Sequence, residues 1–220
     1  MPALIPRLIS IGVLGVLFLI LTMAVAGGLF TELDTQVLRA SMSIWYEPAL
    51  PVFQGIALLG GLELTALLMI GLGAYLIRSG FGTDAWALSA FIAASVLEVL
   101  YKANLHHIGP PRTVAHQDGP SLTMLLSGQG PLANSFPSGH VLRAVIVYGL
   151  IAFVIRRLAI SPLLRRLAIP VATVVILLVA FDRIYLDVHW ESDVIGGLLL
   201  GFIALLGATV WLDRPREADN

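Results

Sequence analysis

Six long apolar stretches constrain what this chain can fold into more than any other feature of its sequence. An α-helix needs about 20 apolar residues to cross the hydrocarbon core of a bilayer, which is about 30 Å thick. Stretches that meet or approach this length lie at residues 8–30, 55–77, 85–101, 141–155, 167–181 and 194–212. The fourth and fifth become long enough if their helices continue into residues 138–140 and 183–186. The sequence therefore predicts an all-α fold, an integral membrane bundle of six transmembrane helices.

The composition supports a bilayer as the solvent of this chain. Of its 220 residues, 58% are hydrophobic and 12% are charged, whereas a soluble domain carries about 25% charged residues. The net charge of -1 gives no indication of a nucleic-acid partner. Since the chain has no cysteine, it has no disulfide, thiolate nucleophile or zinc–thiolate site. No repeat or linker interrupts the sequence, so we expect residues 1–220 to form a single domain.

The first apolar stretch raises the question of cleavage. Arg7, the apolar run and Ala24-Val25-Ala26 together resemble a secretory signal with an A-x-A cleavage site. The run continues through residues 27–30 and five more apolar stretches follow, so we expect an uncleaved first helix.

The distribution of Lys and Arg predicts the orientation. If the six spans alternate, one side of the membrane receives Arg7, Arg78, Arg156, Arg157, Arg165, Arg166, Arg214 and Arg216. The other side receives Arg39, Lys102, Arg112, Arg143 and Arg183. The first side is richer in these residues and should be cytoplasmic. Both termini would then be cytoplasmic, and the long polar loop 102–137 would lie outside. Compactness and short loops favour a bacterial inner membrane.

The polar residues on the outer side form three clusters at the ends of spans. The clusters are Lys102 with Arg112, the run Pro137-Ser138-Gly139-His140, and the spaced set Arg183-x5-His189-x3-Asp193. Fixed cations, a hydroxyl and the free N–H groups of a helix N-terminus make an oxyanion site. Two histidines can supply the nucleophile and the proton donor that phosphoryl transfer needs. The clusters therefore indicate a site for phosphate chemistry at the outer membrane–water boundary.

The spacing of His189 and Asp193 suggests an orienting pair. On a helix, residues four apart share a face, so the carboxylate can hold the imidazole in one tautomer. This is the role of the carboxylate in a catalytic triad.

These runs strongly resemble the type 2 phosphatidic acid phosphatase (PAP2) superfamily. The family's second and third motifs are PSGH and SR-x5-H-x3-D. The second occurs here at residues 137–140, and the third follows in the same order from its arginine onward, at residues 183–193. The resemblance spans residues 102–201, and the predicted six-helix layout extends it to the whole chain.

The resemblance implies a role for each matching residue. His189 would be the nucleophile that becomes phosphorylated, Asp193 its orienting partner, and His140 the acid that protonates the leaving alcohol. The phosphate oxygens would be bound by Arg183, Arg112, Lys102, Ser138 and the Gly139 N–H. Since the arginines neutralise the phosphate, we expect no metal and no organic cofactor.

The sequence departs from the family motifs at three points. Asp182 stands where the third motif begins with Ser. In the first motif, K-x6-RP, the interval between Lys102 and Arg112 is three residues too long, and Pro110 and Thr113 replace the flanking Arg and Pro. Three residues are nearly one helical turn, so Lys102 would reach the phosphate from one turn higher.

Other polar residues receive simpler interpretations. Glu98 lies one turn before Lys102 and is spaced to pair with it. Arg143 has two interpretations, a phosphate contact or a lipid head-group contact. We expect a solvent-facing position for His106, His107 and His116, and a surface position for Asp187. Gly197-x3-Gly201 predicts a close-packing helix face.

The predicted function is hydrolysis of a membrane lipid phosphate through a phospho-histidine, with the lipid substrate and the bilayer as partners and no nucleic acid. Undecaprenyl pyrophosphate, phosphatidylglycerol phosphate, phosphatidic acid and lipid A phosphate all stay open as substrates. One alternative is a phosphotransferase with the same intermediate. Another is a non-enzymatic lipid-binding membrane protein with a relict site.

Overall fold

The fold is all-helical in the computed structural model, which describes residues 4–111 and 134–214. The described residues form eight α-helices: α1 (Leu4–Ala26), α2 (Thr31–Ser43), α3 (Leu50–Gly60), α4 (Leu62–Arg78), α5 (Ser89–Asn104), α6 (Gly139–Leu158), α7 (Pro162–Tyr185) and α8 (Glu191–Leu212). Short 3₁₀ helices precede α3 and α5, at Glu47–Ala49 and Gly82–Leu88. These ranges contain no strand beyond one isolated bridge between Ile108 and Asn134. The predicted all-α fold is confirmed.

The predicted count of six spans is not confirmed. Four helical segments of the described chain are long and apolar enough to cross a membrane: Leu4–Ala26, Gly82–Asn104, Pro162–Tyr185 and Glu191–Leu212. A fifth is reached if Glu47–Gly60 and Leu62–Arg78, which meet at an angle of 42°, form one broken span. The fourth predicted stretch lies in α6, which is not among these candidates.

The centre of the bundle is α6, which packs against α7 on one side and α8 on another. Eleven of its residues are buried. The predicted close-packing face of α8 lies against it, since a Cβ added at Gly201 would come within 2.8 Å of the Val145 Cβ. Small residues let two backbones approach closely in a bilayer, where packing rather than the hydrophobic effect holds helices together.

The second predicted stretch is broken into α3 and α4 at Gly60 and Gly61. Side chains of α6 bind the carbonyls next to this break: the Tyr148 hydroxyl donates to Leu59 O over 2.9 Å and Arg143 Nε to Gly60 O over 3.2 Å. Unpaired carbonyls are costly at membrane depth. The break in the helix is thus stabilised by α6.

The helix α2 was not predicted, because its sequence is too polar for a span. Its buried side chains bind the far end of the chain. Asp34 accepts hydrogen bonds from Ser192 N at 2.9 Å and Ser192 Oγ at 2.8 Å, and Ser41 Oγ donates to Ile184 O. α2 therefore fixes the start of α8 and the end of α7.

Ion pairs join helix ends at the other end of the bundle, opposite to the start of α8 and the end of α7. Arg7 of α1 lies 2.6 Å from Asp213, just after α8. Asp84 accepts from Arg157, at the end of α6, and from Arg214. These arginines belong to the set predicted to be cytoplasmic. The start of α1 therefore lies beside the ends of α6 and α8, so α1 runs in the opposite direction to these two helices.

Candidate functional site

Hydrogen bonds to backbone carbonyls bring the described residues of the predicted clusters together, at the end of the bundle away from these ion pairs. Ser138 N donates to Asp193 O over 2.9 Å, which joins the start of α6 to the start of α8. Asn134 Nδ2 donates to Lys102 O over 2.8 Å, which joins the same segment to α5. A Cβ added at Gly197 would lie 2.6 Å from Ser138 O, so this glycine allows the two segments to meet.

The predicted orienting pair is present. His189 Nδ1 lies 3.2 Å from Asp193 Oδ2, and the same oxygen accepts a hydrogen bond from Trp190 N at 2.9 Å. His189 lies in a tight turn after α7, in which its backbone N–H donates to Arg183 O and Asp187 has a positive φ of 51°. Burial lowers the pKa of His189, and its hydrogen bond to Asp193 opposes this effect only in part. The imidazole is therefore held in its neutral form near neutral pH.

Arg183 is buried completely, with 0% of its surface exposed. Its guanidinium donates from Nε to Asp182 Oδ2 over 2.8 Å and also from Nη2 to the same oxygen. The acidic residue that replaces the motif's serine is thus the counter-ion of the arginine. A buried charge needs such a partner.

The N-terminus of α6 holds Ser138, Gly139 and His140. Ser138 is the N-cap residue, and its buried Oγ has no hydrogen-bond partner among the described residues. His140 packs against the helix break, because a Cβ added at Gly60 would lie 2.8 Å from His140 O and 2.9 Å from His140 Cβ. A Cβ at Gly139 would collide with the Glu98 carboxylate.

Lys102 and Arg143 share one carboxylate. Glu98 Oε1 accepts from Lys102 Nζ over 2.8 Å, which confirms the predicted pair, and Glu98 Oε2 accepts from Arg143 Nη1 over 2.8 Å. Both Glu98 and Arg143 are buried. The interpretation of Arg143 as a lipid head-group contact is therefore wrong, because the side chain points into the bundle.

Two further sequence interpretations are wrong. Asp187 is 3% exposed rather than on the surface, because the turn after α7 folds it inward. His107 is not solvent-facing: only 17% of its side chain is exposed, and its Nε2 lies 3.4 Å from Asp193 Oδ1. The neighbouring His106 is exposed, as predicted. Successive side chains of an extended segment point to opposite sides, so this pattern could have predicted that only one of the two adjacent histidines faces solvent.

Several predicted elements lie outside the described residues. These are Arg112, the Thr113 that follows it in the altered first motif, and His116. In the described ranges, no group of three or more His, Cys, Asp or Glu side chains is arranged to hold a metal ion.

Comparison with known proteins places this geometry in a family. The sequence matches the family model described as PAP2 superfamily over residues 83–217, more than half of the chain. That range contains Lys102, His140, Arg183, His189 and Asp193.

Two curated relatives match shorter segments. "Phosphatidylglycerophosphatase B" of Bacillus subtilis (strain 168) is 40% identical over 70 residues, which are 31% of this chain and 34% of the relative. "Putative undecaprenyl-diphosphatase YbjG" of Escherichia coli (strain K12) is 36% identical over 77 residues, which are 35% of this chain and 34% of the relative. The matched segments thus span about a third of each relative.

A solved structure matches nearly the whole chain. The crystal structure of a transmembrane PAP2 type phosphatidylglycerolphosphate phosphatase from Bacillus subtilis superposes with a TM-score of 0.76 at 25% identity. The match covers 91% of this chain and 94% of that one. The similarity therefore includes the helices before residue 83 as well as the segment that carries the motifs. This chain is an integral membrane protein that carries the family's motifs on the family's helical framework, and it belongs to the PAP2 superfamily.

Proposed function

We propose that this protein hydrolyses a membrane lipid phosphate through a phospho-histidine at His189. The observation that carries the proposal is the contact between His189 Nδ1 and Asp193. With Nδ1 taken by the carboxylate, the lone pair of a neutral imidazole lies on Nε2, the atom that attacks phosphorus. Burial favours this neutral form by lowering the pKa of His189.

The reaction has two steps. His189 Nε2 forms a bond to phosphorus while the bond between phosphorus and the leaving oxygen breaks, and His140 gives its proton to that oxygen. A water molecule then attacks the phospho-histidine, His140 takes its proton, and the P–N bond breaks to release inorganic phosphate and free His189. Among the described residues the His140 ring has no hydrogen-bond partner that competes with this proton transfer.

Cations and N–H donors bind the phosphate oxygens in this proposal. Arg183 and Lys102 both lie close enough to His189 to act on it electrostatically. Ser138 Oγ is buried without a partner in the described ranges and can donate to a phosphate oxygen, as can the Gly139 N–H at the start of α6. We assign Arg112 the same role from its place in the first motif. These donors would neutralise the phosphate without a divalent metal.

The substrate class follows from the relatives' names and from the membrane. A phosphomonoester such as phosphatidylglycerol phosphate or phosphatidic acid and a diphosphate such as undecaprenyl pyrophosphate both fit a donor set that contacts one terminal phosphate. The lipid tails would lie between helices, with the phosphate at the outer membrane–water boundary of a bacterial inner membrane. We propose one domain with six spans, in which α6 is the fourth along the chain and completes the five candidates, since lipid contact is not required of a helix enclosed by α3, α4, α5, α7 and α8.

The test is phosphate release from these lipids in detergent by wild type, His189→Ala and His140→Ala. Either variant should lose about 10²-fold or more in turnover. Acid-labile phosphoenzyme should form in wild type and not in His189→Ala. Activity should survive excess EDTA. Wild-type turnover in His189→Ala would refute the mechanism, and strict dependence on added Mg²⁺ or Zn²⁺ after chelation would refute metal independence.

The same assay separates the alternative activities. A phosphotransferase would move the phosphoryl group to an added alcohol in preference to water, whereas a relict lipid-binding protein would bind lipid phosphate with no turnover. The intact set of His140, His189 and Asp193 favours an enzyme over a relict.

A further inference from the structure

A second imidazole contacts the carboxylate that orients His189. Asp193 Oδ2 accepts from His189 and from Trp190 N, and His107 Nε2 lies 3.4 Å from the other oxygen, Oδ1. His107 comes from the loop after α5, far in sequence from the turn that carries His189. Asp193 therefore lies between two histidines, and the proposed reaction uses only one of them.

The two facing atoms have no better partner. His107 Nε2 and Asp193 Oδ1 are both buried, and neither makes another hydrogen bond within the described chain. Their distance is slightly longer than an ordinary N–H···O hydrogen bond, for which about 2.7–3.2 Å is usual. A buried carboxylate oxygen without a donor is costly, so a movement of a few tenths of an ångström toward the imidazole is favoured.

The backbone of His107 is held in place on both sides. His107 N donates to Asn134 Oδ1 over 3.2 Å, and Ser135 N donates to His107 O over 2.8 Å. The imidazole meets the Phe136 ring edge-on, with 6.4 Å between centroids. These contacts tie His107 to the segment that enters α6, whereas His106 beside it is exposed.

We propose that His107 is a positioning residue for the His189–Asp193 pair. Its Nε2–H donates to Asp193 Oδ1 and fixes the plane of the carboxylate, so that Oδ2 stays in line with His189 Nδ1. This role rests on the proposed function, in which His189 Nε2 is the nucleophile. The donor also withdraws charge from the carboxylate, and this limits how strongly Asp193 stabilises a protonated His189.

The titratable groups around the two imidazoles come from five helices, including Asp193 of α8. Asp34 of α2 acts electrostatically on His107 and Asp193. His189 interacts electrostatically with Lys102 and Glu98 of α5, His140 of α6 and Arg183 of α7. These groups are the same in all variants below, so a change in the pH profile is due to the His107 side chain.

The experiment compares His107→Gln with His107→Asn. The glutamine amide can place a donor where Nε2 lies, whereas the asparagine amide is one carbon too short. We expect His107→Asn to lower kcat about 10-fold, as for loss of a hydrogen bond to a charged group, with little change in KM. In His107→Asn the acid limb of the kcat/KM profile should move to higher pH, because Asp193 without the His107 donor stabilises protonated His189 more strongly. His107→Gln should stay within about threefold of wild type.

Matched controls are His106→Asn and His106→Gln, one residue away and exposed, both of which should resemble wild type. Equal activity of His107→Asn and wild type across pH would overturn the proposal, as would equal losses in the Asn and Gln variants. Thermal unfolding of each purified variant shows whether a loss reflects folding, and the Gln–Asn difference decides the role if both are folded. If His189→Ala retained activity, the proposed function itself would fail instead.

Discussion

Arg143 Nη1 donates a hydrogen bond to Glu98 Oε2 over 2.8 Å, and the other oxygen of this carboxylate accepts from Lys102 over the same distance. One buried carboxylate thus holds two cations next to the start of α6. Because each oxygen has its own cation, loss of the carboxylate charge affects both.

Glu98→Gln should impair both cations at once. The amide keeps one acceptor and loses the charge, so Lys102 and Arg143 become free to move. We expect Glu98→Gln to lower kcat/KM by part of the amount that Lys102→Ala lowers it. The two effects should not be additive in the double variant, because Glu98 and Lys102 act as a unit. Steady-state kinetics on the two single variants and the double variant measure this; full additivity would show that Glu98 does not act through Lys102.

Arg112 should matter more than Lys102. It occupies the place of the arginine in the first motif, whereas Lys102 is displaced by three residues and already paired with Glu98. Arg112→Ala should therefore cost more kcat/KM than Lys102→Ala. Arg112→Lys should still impair catalysis, since the bidentate fork is lost. A silent Arg112→Ala beside an inactive Lys102→Ala would show that this alignment is wrong and that another arginine, with Arg143 the first candidate, takes the place of Arg112.

Asp182→Asn should destabilise the protein without phosphate and make it more responsive to phosphate. Arg183 would keep its buried charge without a full counter-ion, and breaking a buried pair costs about 3–5 kcal/mol. An added oxyanion can replace the lost charge, so phosphate or vanadate should raise the Tm of Asp182→Asn more than that of wild type. Thermal unfolding with and without vanadate tests this. An equal shift in both proteins would mean that Asp182 does not neutralise Arg183.

Gly197→Ala should damage the site, whereas Gly207→Ala on the same helix should not. A Cβ at Gly197 would lie 2.6 Å from Ser138 O and would push α6 away from α8, while nothing lies within 4 Å of a Cβ at Gly207. Overpacking costs about 1–3 kcal/mol. We expect lower Tm and lower kcat in Gly197→Ala alone. Similar behaviour of the two variants would contradict the close approach of these helices.

The acid limb of kcat/KM should lie below pH 6.5. This limb reports the pKa of the group that must be deprotonated in the free enzyme. In the proposed mechanism that group is His189, and burial lowers its pKa from the ordinary value of 6.5. Protonation of the nucleophile therefore begins only at lower pH. In Asp193→Asn, which removes the interaction that opposes this lowering, the limb should move lower still while kcat falls. A pH–rate series on both proteins gives the two midpoints, and a wild-type midpoint above 6.5 would contradict the assignment.

Cysteine labelling should establish the topology. The chain has no native cysteine, so single cysteines at Gln117 and Ser161 report one position each. If α6 crosses the membrane, Gln117→Cys should react from outside and Ser161→Cys only after permeabilisation. Labelling of both from the same side would contradict six alternating spans.

The sequence by itself determined the membrane environment and the helical class, and it predicted the central residues of the candidate site. A chain with few charges and long apolar runs is stable as helices in a bilayer, because a helix pairs the backbone N–H and C=O groups within its own segment, where no water can bind them. The local spacing of Glu98–Lys102 also sufficed, since residues four apart on one helix meet whatever the rest of the fold does. The same spacing predicted the contact between His189 and Asp193, although His189 lies in the turn before α8 and not on the helix.

Only the tertiary structure decided the contacts between distant segments. Arg143 pairs with Glu98 across 45 residues, and His107 reaches Asp193 because the segment before α6 holds its backbone. The break at Gly60 is stable because α6 supplies donors for the freed carbonyls. Such pairings depend on which helices are neighbours, and a residue's own sequence surroundings carry no information about its partner in a bundle of similar apolar helices.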